Sequence, residues 1–309
     1  MFVYYIGIPA AVFLTVRFFR FKQIPKENVD SFLNSLWNKD EYKRPGIIMH
    51  RGGAIETPEN TLIGIQQAKK DGCCAVEIDL EFTKDGVGVL LHDDTVDRTS
   101  NGTGKVSDYT FQQLQTLDVA AKHPNSKKLG PHKVPTLEES LDLCLKLNLK
   151  IFIDCKGKAK ETAELISRLY KEKPELYKTA VVCSFYPRVI YEVRKKDLAI
   201  MTALTYRARF VSSTSSDPGA PPRFTGIKQK TAYAADYVAD FAHAFVLWYI
   251  FGNSFFLLNK DLISKEMMNR WEKNNVHVIA WTVNNPVEKD YLLKSLDCPI
   301  ITDGVNSKH

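Results

Sequence analysis

Ala75-Val76-Glu77-Ile78-Asp79-Leu80 alternates apolar and acidic residues, and the reading of the chain starts there. Period two is the signature of a β-strand, on which residues two apart share a face. Glu77 and Asp79 therefore converge on one side, while Val76, Ile78 and Leu80 form the other. Two carboxylates side by side repel, and burying them is costly unless something neutralises them. A bound divalent cation is the simplest remedy, and all-oxygen ligands favour Mg²⁺ or Ca²⁺ over zinc. A half-exposed strand with a solvated acidic face accounts for the same two residues, so the pair alone leaves both readings open.

Working outward, Leu149-Lys150-Ile151-Phe152-Ile153-Asp154 is an apolar run that ends in an acid. It reads as a buried parallel strand whose last residue emerges at its C-terminal end. Asp154 is a third ligand candidate there, and Lys156 shares its face two residues on; taken alone, Asp154 reads equally as a turn or cap residue. His50 closes the apolar run that starts at Gly46, and His92 closes the run from Val87. Histidine is the side chain most easily poised near neutral pH, and two at strand ends suit a reaction that needs a base and an acid. Arg51 offers a planar fork of donors for phosphate oxygens. Gly52 and Gly53 permit a sharp turn or a close approach to a ligand.

Together these residues form a series: His50-Arg51-Gly52, Pro58-Glu59-Asn60-Thr61, Glu77-x-Asp79, His92-Asp93, Asp97-Arg98-Thr99, Asp154-x-Lys156, Trp281-Thr282-Val283-Asn284 and Thr302-Asp303. The series, in this order, resembles the glycerophosphodiester phosphodiesterases from about Pro45 to the C-terminus, and within them the animal, membrane-anchored branch. The resemblance implies a TIM (β/α)8 barrel, a bound divalent metal (Mg²⁺, with Ca²⁺ as the other candidate) and hydrolysis of glycerophosphodiesters to an alcohol and glycerol 3-phosphate. Carried over motif by motif, Glu77, Asp79 and Asp154 are metal ligands and His50 and His92 the catalytic pair. Arg51 and Lys156 contact phosphate, Glu59 helps build the site, and Trp281 lines the substrate pocket. The chain departs from the family at Asp154, where many members carry Glu.

The 309 residues fit one barrel of about 250 residues plus an anchor. Strand-like and helix-like segments alternate, as in parallel α/β folds. The expected strands are Gly46–His50, Ala75–Leu80, Lys150–Asp154, Thr179–Ser184, Ala199–Leu204, Asp236–Asp240, Val276–Val283 and Pro299–Asp303. Helical patterns cover Glu161–Lys171 and Pro187–Lys195, with others from Asn60 to Lys70 and around Trp271. A small inserted subdomain, residues 81–136, is expected after the second strand, because that excursion is too long for one connecting helix.

Residues 1–22 read as an uncleaved membrane anchor, uncharged through Val16 and followed by Arg17, Arg20 and Lys22. That length is marginal against the roughly 20 residues a bilayer requires. Residues 23–44 read as a linker and 45–309 as the barrel domain. Phe241–Leu258 contains no Asp, Glu, Lys or Arg. It reads either as a barrel element packed on the core or as a lipid-facing lip that admits acyl chains. Basic residues after the anchor would place the domain in the cytosol. The resemblance favours the lumenal or extracellular side of the plasma membrane or an endomembrane, and Asn101-Gly102-Thr103 is a glycosylation sequon.

The net charge is +6, with no basic cluster interleaved with aromatics, so no nucleic-acid partner is expected. Six cysteines include no C-x-x-C pair, which argues against a zinc site. The expected partners are a membrane and a glycerophosphoinositol-type, lysophospholipid or N-acyl glycerophosphoethanolamine substrate. Two other readings stay open: a phospholipase on a related barrel, and a membrane-bound, catalytically weak lipid-binding or signalling protein.

Overall fold

A computed structural model describes residues 20–37, 46–217 and 219–305. Its strands are β1 (Ile47–Met49), β2 (Ala75–Phe82), β3 (Gly88–Leu90), β4 (Lys150–Cys155), β5 (Ala180–Ser184), β6 (Thr202–Tyr206), β7 (Phe255–Asn259), β8 (His277–Trp281) and β9 (Ile300–Thr302). Eight of them run parallel, and β1 pairs with both β2 and β9, so the sheet closes into a barrel. β3 lies outside the barrel, antiparallel on the end of β2. Helices return the chain between strands, as a parallel sheet requires. The one over Leu62–Lys70 is capped by the Thr61 side chain, and that over Leu137–Lys146 carries a capping box from Thr136 and Glu139.

The alternation in β2 sorts its side chains as the sequence predicts. Val76, Ile78 and Leu80 pack with the helix-side core, while Ala75 belongs to the barrel interior. The same phase holds in β4, where Ile151 and Ile153 face the helices and Phe152 faces inward. The interior is closed at the N-terminal ends of the strands by a helix over Lys26–Leu36. Its Phe32 ring meets Phe152 and Phe255 edge-on at 5.7 and 5.4 Å. A Cβ added to Gly46, just before β1, would overlap the Leu36 carbonyl oxygen, so the close approach demands glycine. This plug lies within the stretch expected to be a linker: Val29, Phe32 and Leu36, spaced three and four apart, form the apolar stripe that carries it into the core.

The sixth expected strand is a correction. Asp236–Asp240 lies inside a helix, Gly226–Ala242, and the strand in that place of the barrel is Phe255–Asn259. The helix continues through a π turn to Phe251, where Gly252 ends it in a left-handed conformation, φ 62°. The apolar stretch Phe241–Leu258 is thus helix through Phe251 and buried strand from Phe255. That helix turns Asp236 inward and leaves Tyr237 and Val238 outside, the reverse of the usual amphipathic order.

Between β2 and the helix at Leu137 the chain makes a long excursion around a small core of Val89, Leu91, Val96, Val106, Leu114, Val119 and Val134. The expected anchor, up to residue 19, lies outside the described residues. Among the described residues no helix is long and apolar enough to cross a membrane.

Candidate active site at the C-terminal rim of the barrel

Along β1, β2, β4, β8 and β9 the inward positions that are apolar near the plug give way to polar or aromatic ones at the C-terminal end. His50 follows β1, Glu77 and Asp79 lie in β2, Asp154 is the last residue but one of β4, Trp281 ends β8 and Asp303 follows β9. Register puts Asp79 beside Asp154. All of these but Asp303, which stands behind His50, line a cavity of about 370 Å³ together with Arg51, His92 and Lys156. Its far wall comes from Phe185, Tyr186, Phe210, Arg207 and the loop residues Thr214–Ser216.

Glu77, Asp79 and Asp154 each present a carboxylate oxygen, and the three oxygens lie within 4.8 Å of one another, all buried. Burial and the neighbouring Asp79 charge push the Glu77 carboxyl well above its usual range. Burial opposes ionisation of Asp79 too, but the charges of Lys156 and Arg51 outweigh it and hold that carboxyl low. Lys156 Nζ sits 2.6 Å from Asp79 and also bonds Asp154. Asp154 Oδ1 is buried and accepts no hydrogen bond. Three buried carboxylates meet Lys156 and, 3.9 Å from Asp79, the Arg51 guanidinium, and Asp154 still keeps an open lone pair. That donor set, all oxygen and anionic, fits a hard divalent cation.

Each histidine is backed by a carboxylate. His50 Nδ1 donates to Asp303 Oδ1 at 2.5 Å, and Asp303 also accepts from the Asn284 side chain at 2.6 Å and His50 Nε2 lies 3.9 Å from Glu77. Burial would lower the His50 pKa, but the Asp303 hydrogen bond and the Glu77 charge reverse this and raise it. His92 Nδ1 bonds Asp93 at 2.8 Å, and Asp93 is gripped by Arg98 Nε at 2.6 Å. In both rings this leaves Nε2 for other partners.

The turn that carries Arg51 is held open by backbone geometry. Arg51 itself has φ 55°, Gly52 φ 70° and Gly53 φ 119°, and the Arg51 N–H donates to Glu77 at 2.9 Å. The Asn60 side chain clamps Asp79, donating to its carboxylate at 2.7 Å and accepting from its backbone N–H at 3.0 Å. Glu59 does not line the cavity. It accepts from Arg51 at 3.1 Å and from Arg98 at 2.7 and 2.8 Å, so it joins the excursion to the rim and acts through those arginines. Trp281 stands edge-on to Phe185 at 5.3 Å, and Phe185 stacks on Phe210 at 5.1 Å.

The sequence-predicted residues His50, Arg51, Glu77, Asp79, His92, Asp154, Lys156 and Trp281 therefore come together, with Glu59 one step behind. Sequence reasoning assigned no role to Asp303, Asp93, Asn60, Asn284 or Arg98. All five stand inside motifs already singled out, so their signal was adjacency to a candidate. Arg207, Phe210 and Ser215–Ser216 had no such signal. The six cysteines are free thiols, none lines the cavity, and burial pushes Cys73, Cys144 and Cys298 up to about 12. They are packing residues.

Comparison with known proteins agrees with this geometry. The glycerophosphoryl diester phosphodiesterase family matches residues 50–307. Glycerophosphodiester phosphodiesterase 1 of Mus musculus is 40% identical over 298 residues, covering 96% of this chain and 88% of its own. The Homo sapiens protein of that name gives the same identity and coverage. Among solved structures, an Oleispira antarctica phosphodiesterase in complex with the product sn-glycerol-3-phosphate superposes with a TM-score of 0.66 at 19% identity, covering 84% of this chain and 93% of that one. A protein from Silicibacter pomeroyi gives 0.67 at 20% identity, covering 90% and 95%. The chain belongs to the glycerophosphoryl diester phosphodiesterase family and is a phosphoric diester hydrolase.

Proposed function

We propose that the protein is a membrane-anchored, metal-dependent hydrolase of glycerophosphodiesters that works by acid/base catalysis with His50 and His92. The observation that carries this reading is the meeting of three buried carboxylates with two carboxylate-backed histidines in one cavity. Glu77, Asp79 and Asp154 would hold the cation, Mg²⁺ or Ca²⁺. When bound, it supplies Lewis acidity to a phosphate oxygen and lowers the pKa of a nucleophile.

The remaining chemistry falls to the chain's own residues. Arg51 and Lys156 meet the charge that builds on the phosphoryl oxygens, where fixed cations cost no reorganisation. One histidine Nε2 takes the proton of the attacking oxygen, and the other gives a proton to the departing alcohol as its P–O bond breaks. Water is the net co-reactant: its hydroxyl ends on phosphorus and its proton on the alcohol. Asp303 and Asp93 keep the rings in the tautomer with Nε2 toward the cavity, and Glu59 steadies Arg51. Phe185, Phe210 and Trp281 give the leaving group an aromatic wall. That wall favours diesters whose departing alcohol is acylated, as in N-acyl glycerophosphoethanolamines, over glycerophosphoinositol; in a lysophospholipid the acyl chain stays on the glycerol phosphate side.

The test is release of glycerol 3-phosphate, or its acylated form, from a panel of soluble and acylated diesters with Mg²⁺, with Ca²⁺ and with chelator. Release that needs the cation and prefers acylated substrates is expected. Full turnover in chelator would remove the metal from the reading. We further place the catalytic domain on the lumenal or extracellular side, a reading supported by the exposed sequon residue Asn101. A glycosidase-sensitive mass shift that Asn101→Gln abolishes is the expected result, and an unmodified Asn101 would count against it.

A further inference from the structure

The helix from Gly226 to Phe251 is inside out. Its buried face carries Gln229, Asp236 and His243, whereas Ile227, Val238, Phe241 and Phe245 lie on the opposite face in solvent. At 100° per residue those four fall within about 60° of one another, a single stripe. They are between 58 and 79% exposed, and Tyr237 beside them is 78% exposed. A helix in water with its polar residues inward and its large apolar residues outward has a reversed hydrophobic gradient, and contiguous apolar patches of this kind mark an interaction surface.

The inward polar residues have definite partners. Asp236 accepts from the Val211 N–H at 2.8 Å, and Gln229 bonds the Ser212 carbonyl and the Phe224 N–H, both at 2.9 Å. They hold the loop that carries Phe210, Thr214–Ser216 and Arg223, all cavity-lining residues. The start of the helix is thus three residues from the wall of the active site.

Three observations say what covers the outer face. The described residues begin at Arg20, which lies at the far end of the same helix, and the sequence of Met1–Val16 before it is uncharged and apolar. There the Phe21 N–H donates to the Ile250 carbonyl at 2.8 Å, and the Arg20 guanidinium lies 4.3 Å over the Tyr249 ring. The charges are also one-sided. The only acids between Gly226 and Phe251 are Asp236 and Asp240, and both are engaged, Asp240 by the Tyr206 hydroxyl. Cations flank the stripe: Arg270 sits 4.8 Å over the Phe245 ring, and Lys228 and Lys230 are exposed at its start. Finally, the helix combines an exposed apolar stripe, flanking cations and a polar opposite face, the properties of a helix that lies in the interface.

We propose that the outer face of the Gly226–Phe251 helix lies in the surface of an anionic lipid bilayer and so presents the cavity rim to substrates held in that bilayer. The docking itself needs no catalysis; its consequence for substrate access rests on the function proposed above. Aromatic and aliphatic side chains enter the headgroup–acyl boundary, and Arg20, Arg270, Lys228 and Lys230 face lipid phosphates.

The test uses the full chain in phosphatidylcholine vesicles containing phosphatidylserine. An environment-sensitive fluorophore is placed at Val238→Cys and, as a control, at the exposed Glu161→Cys on another helix. Lipids spin-labelled at a shallow acyl position should quench the first several-fold and leave the second unchanged. A Val238 label that shallow lipid probes do not quench overturns the proposal. So does energy transfer between labels on two copies, which would mean that a second protomer covers the face, or shielding from aqueous iodide without lipid quenching, which would assign the face to the N-terminal segment. In parallel, the double variant V238D/F241D should turn over a soluble glycerophosphodiester at the unmodified rate and lose about tenfold or more against vesicle-borne lysophospholipid. Equal rates on both substrates would also overturn the docking. Lipid quenching without any diester hydrolysis would leave the docking standing and remove the proposed reaction.

Discussion

At the lower end of the barrel the inward positions are Ile48, Ala75, Phe152, Ile279 and Ile301, packed against the plug residue Phe32. Two residues further along the same strands they are His50, Glu77, Asp154, Trp281 and Asp303. A step of about 6.6 Å separates the two layers. The lower layer gains stability by removing apolar surface from water; the upper layer gathers charges at a cost, since buried carboxylates repel until neutralised. One strand geometry therefore serves both, and the rigid apolar layer holds the strained polar one in register. The helix Gly226–Phe251 inverts this order on the outside of the barrel, with its polar groups inward and its apolar groups out.

If the two layers are independent in function, substitutions should separate cleanly into kinetic and stability effects. The largest effect is expected at the histidines. His50→Ala and His92→Ala should each reduce turnover by about 10² to 10⁴-fold with little change in melting temperature. Near-native rates in both would remove the two-histidine reading. In the lower layer, Phe32→Ala should cost about 3 to 5 kcal/mol in denaturant unfolding and leave the kinetics of the folded fraction intact. A Phe32→Ala protein of normal stability but low turnover would break the division between the layers.

A smaller effect is expected at Asp303→Asn, which keeps the shape and removes the charge behind His50. Asp303 raises the His50 pKa, so the substitution should bring that pKa down, readable in an NMR titration of the ring. The sign follows for stability as well. A histidine with a raised folded pKa contributes stability that is fully present below its unfolded value, near 6.5, and is lost as pH rises through the raised value. The stability gap between Asp303→Asn and the unmodified protein should therefore be widest in mild acid and narrow at higher pH. A gap that widens with pH would contradict the charge-assisted pair.

The smallest expected effect has the opposite direction. Burial and Asp79 raise the Glu77 pKa, so its ionised form destabilises the metal-free fold. In chelator, Glu77→Gln should raise the melting temperature. The advantage should grow as pH climbs from the ordinary carboxylate range to the raised value, and then level off. Added Mg²⁺ or Ca²⁺ should reverse the ranking, because binding to the native site stabilises only the intact carboxylate cluster. A Gln variant less stable than the unmodified protein in chelator at neutral pH would mean that the cluster is already neutralised by Lys156.

The period-two alternation of β2 put Glu77 and Asp79 on one face and the apolar run of β4 put Asp154 at a strand end, because side-chain direction on a strand is a local property of the backbone; that the three form one site came from the family resemblance. Lys156 followed from the same two-residue spacing and His50 from its place at the end of an apolar run, whereas Arg51 was singled out by its chemistry and sits in the turn after β1. The sequence could not separate Asp236–Asp240 from a strand or assign Phe241–Leu258, since a helix with inverted polarity and a fully buried strand both defeat a rule that expects apolar residues inside. Nor did it show that Phe32 plugs the barrel, that Asp303 orients His50 from 253 positions away, or that Glu59 reaches the site only through arginines. Those are contacts between distant segments, decided by strand order and closure of the sheet. Local periodicity determined which faces exist; only the closed barrel decided which faces meet.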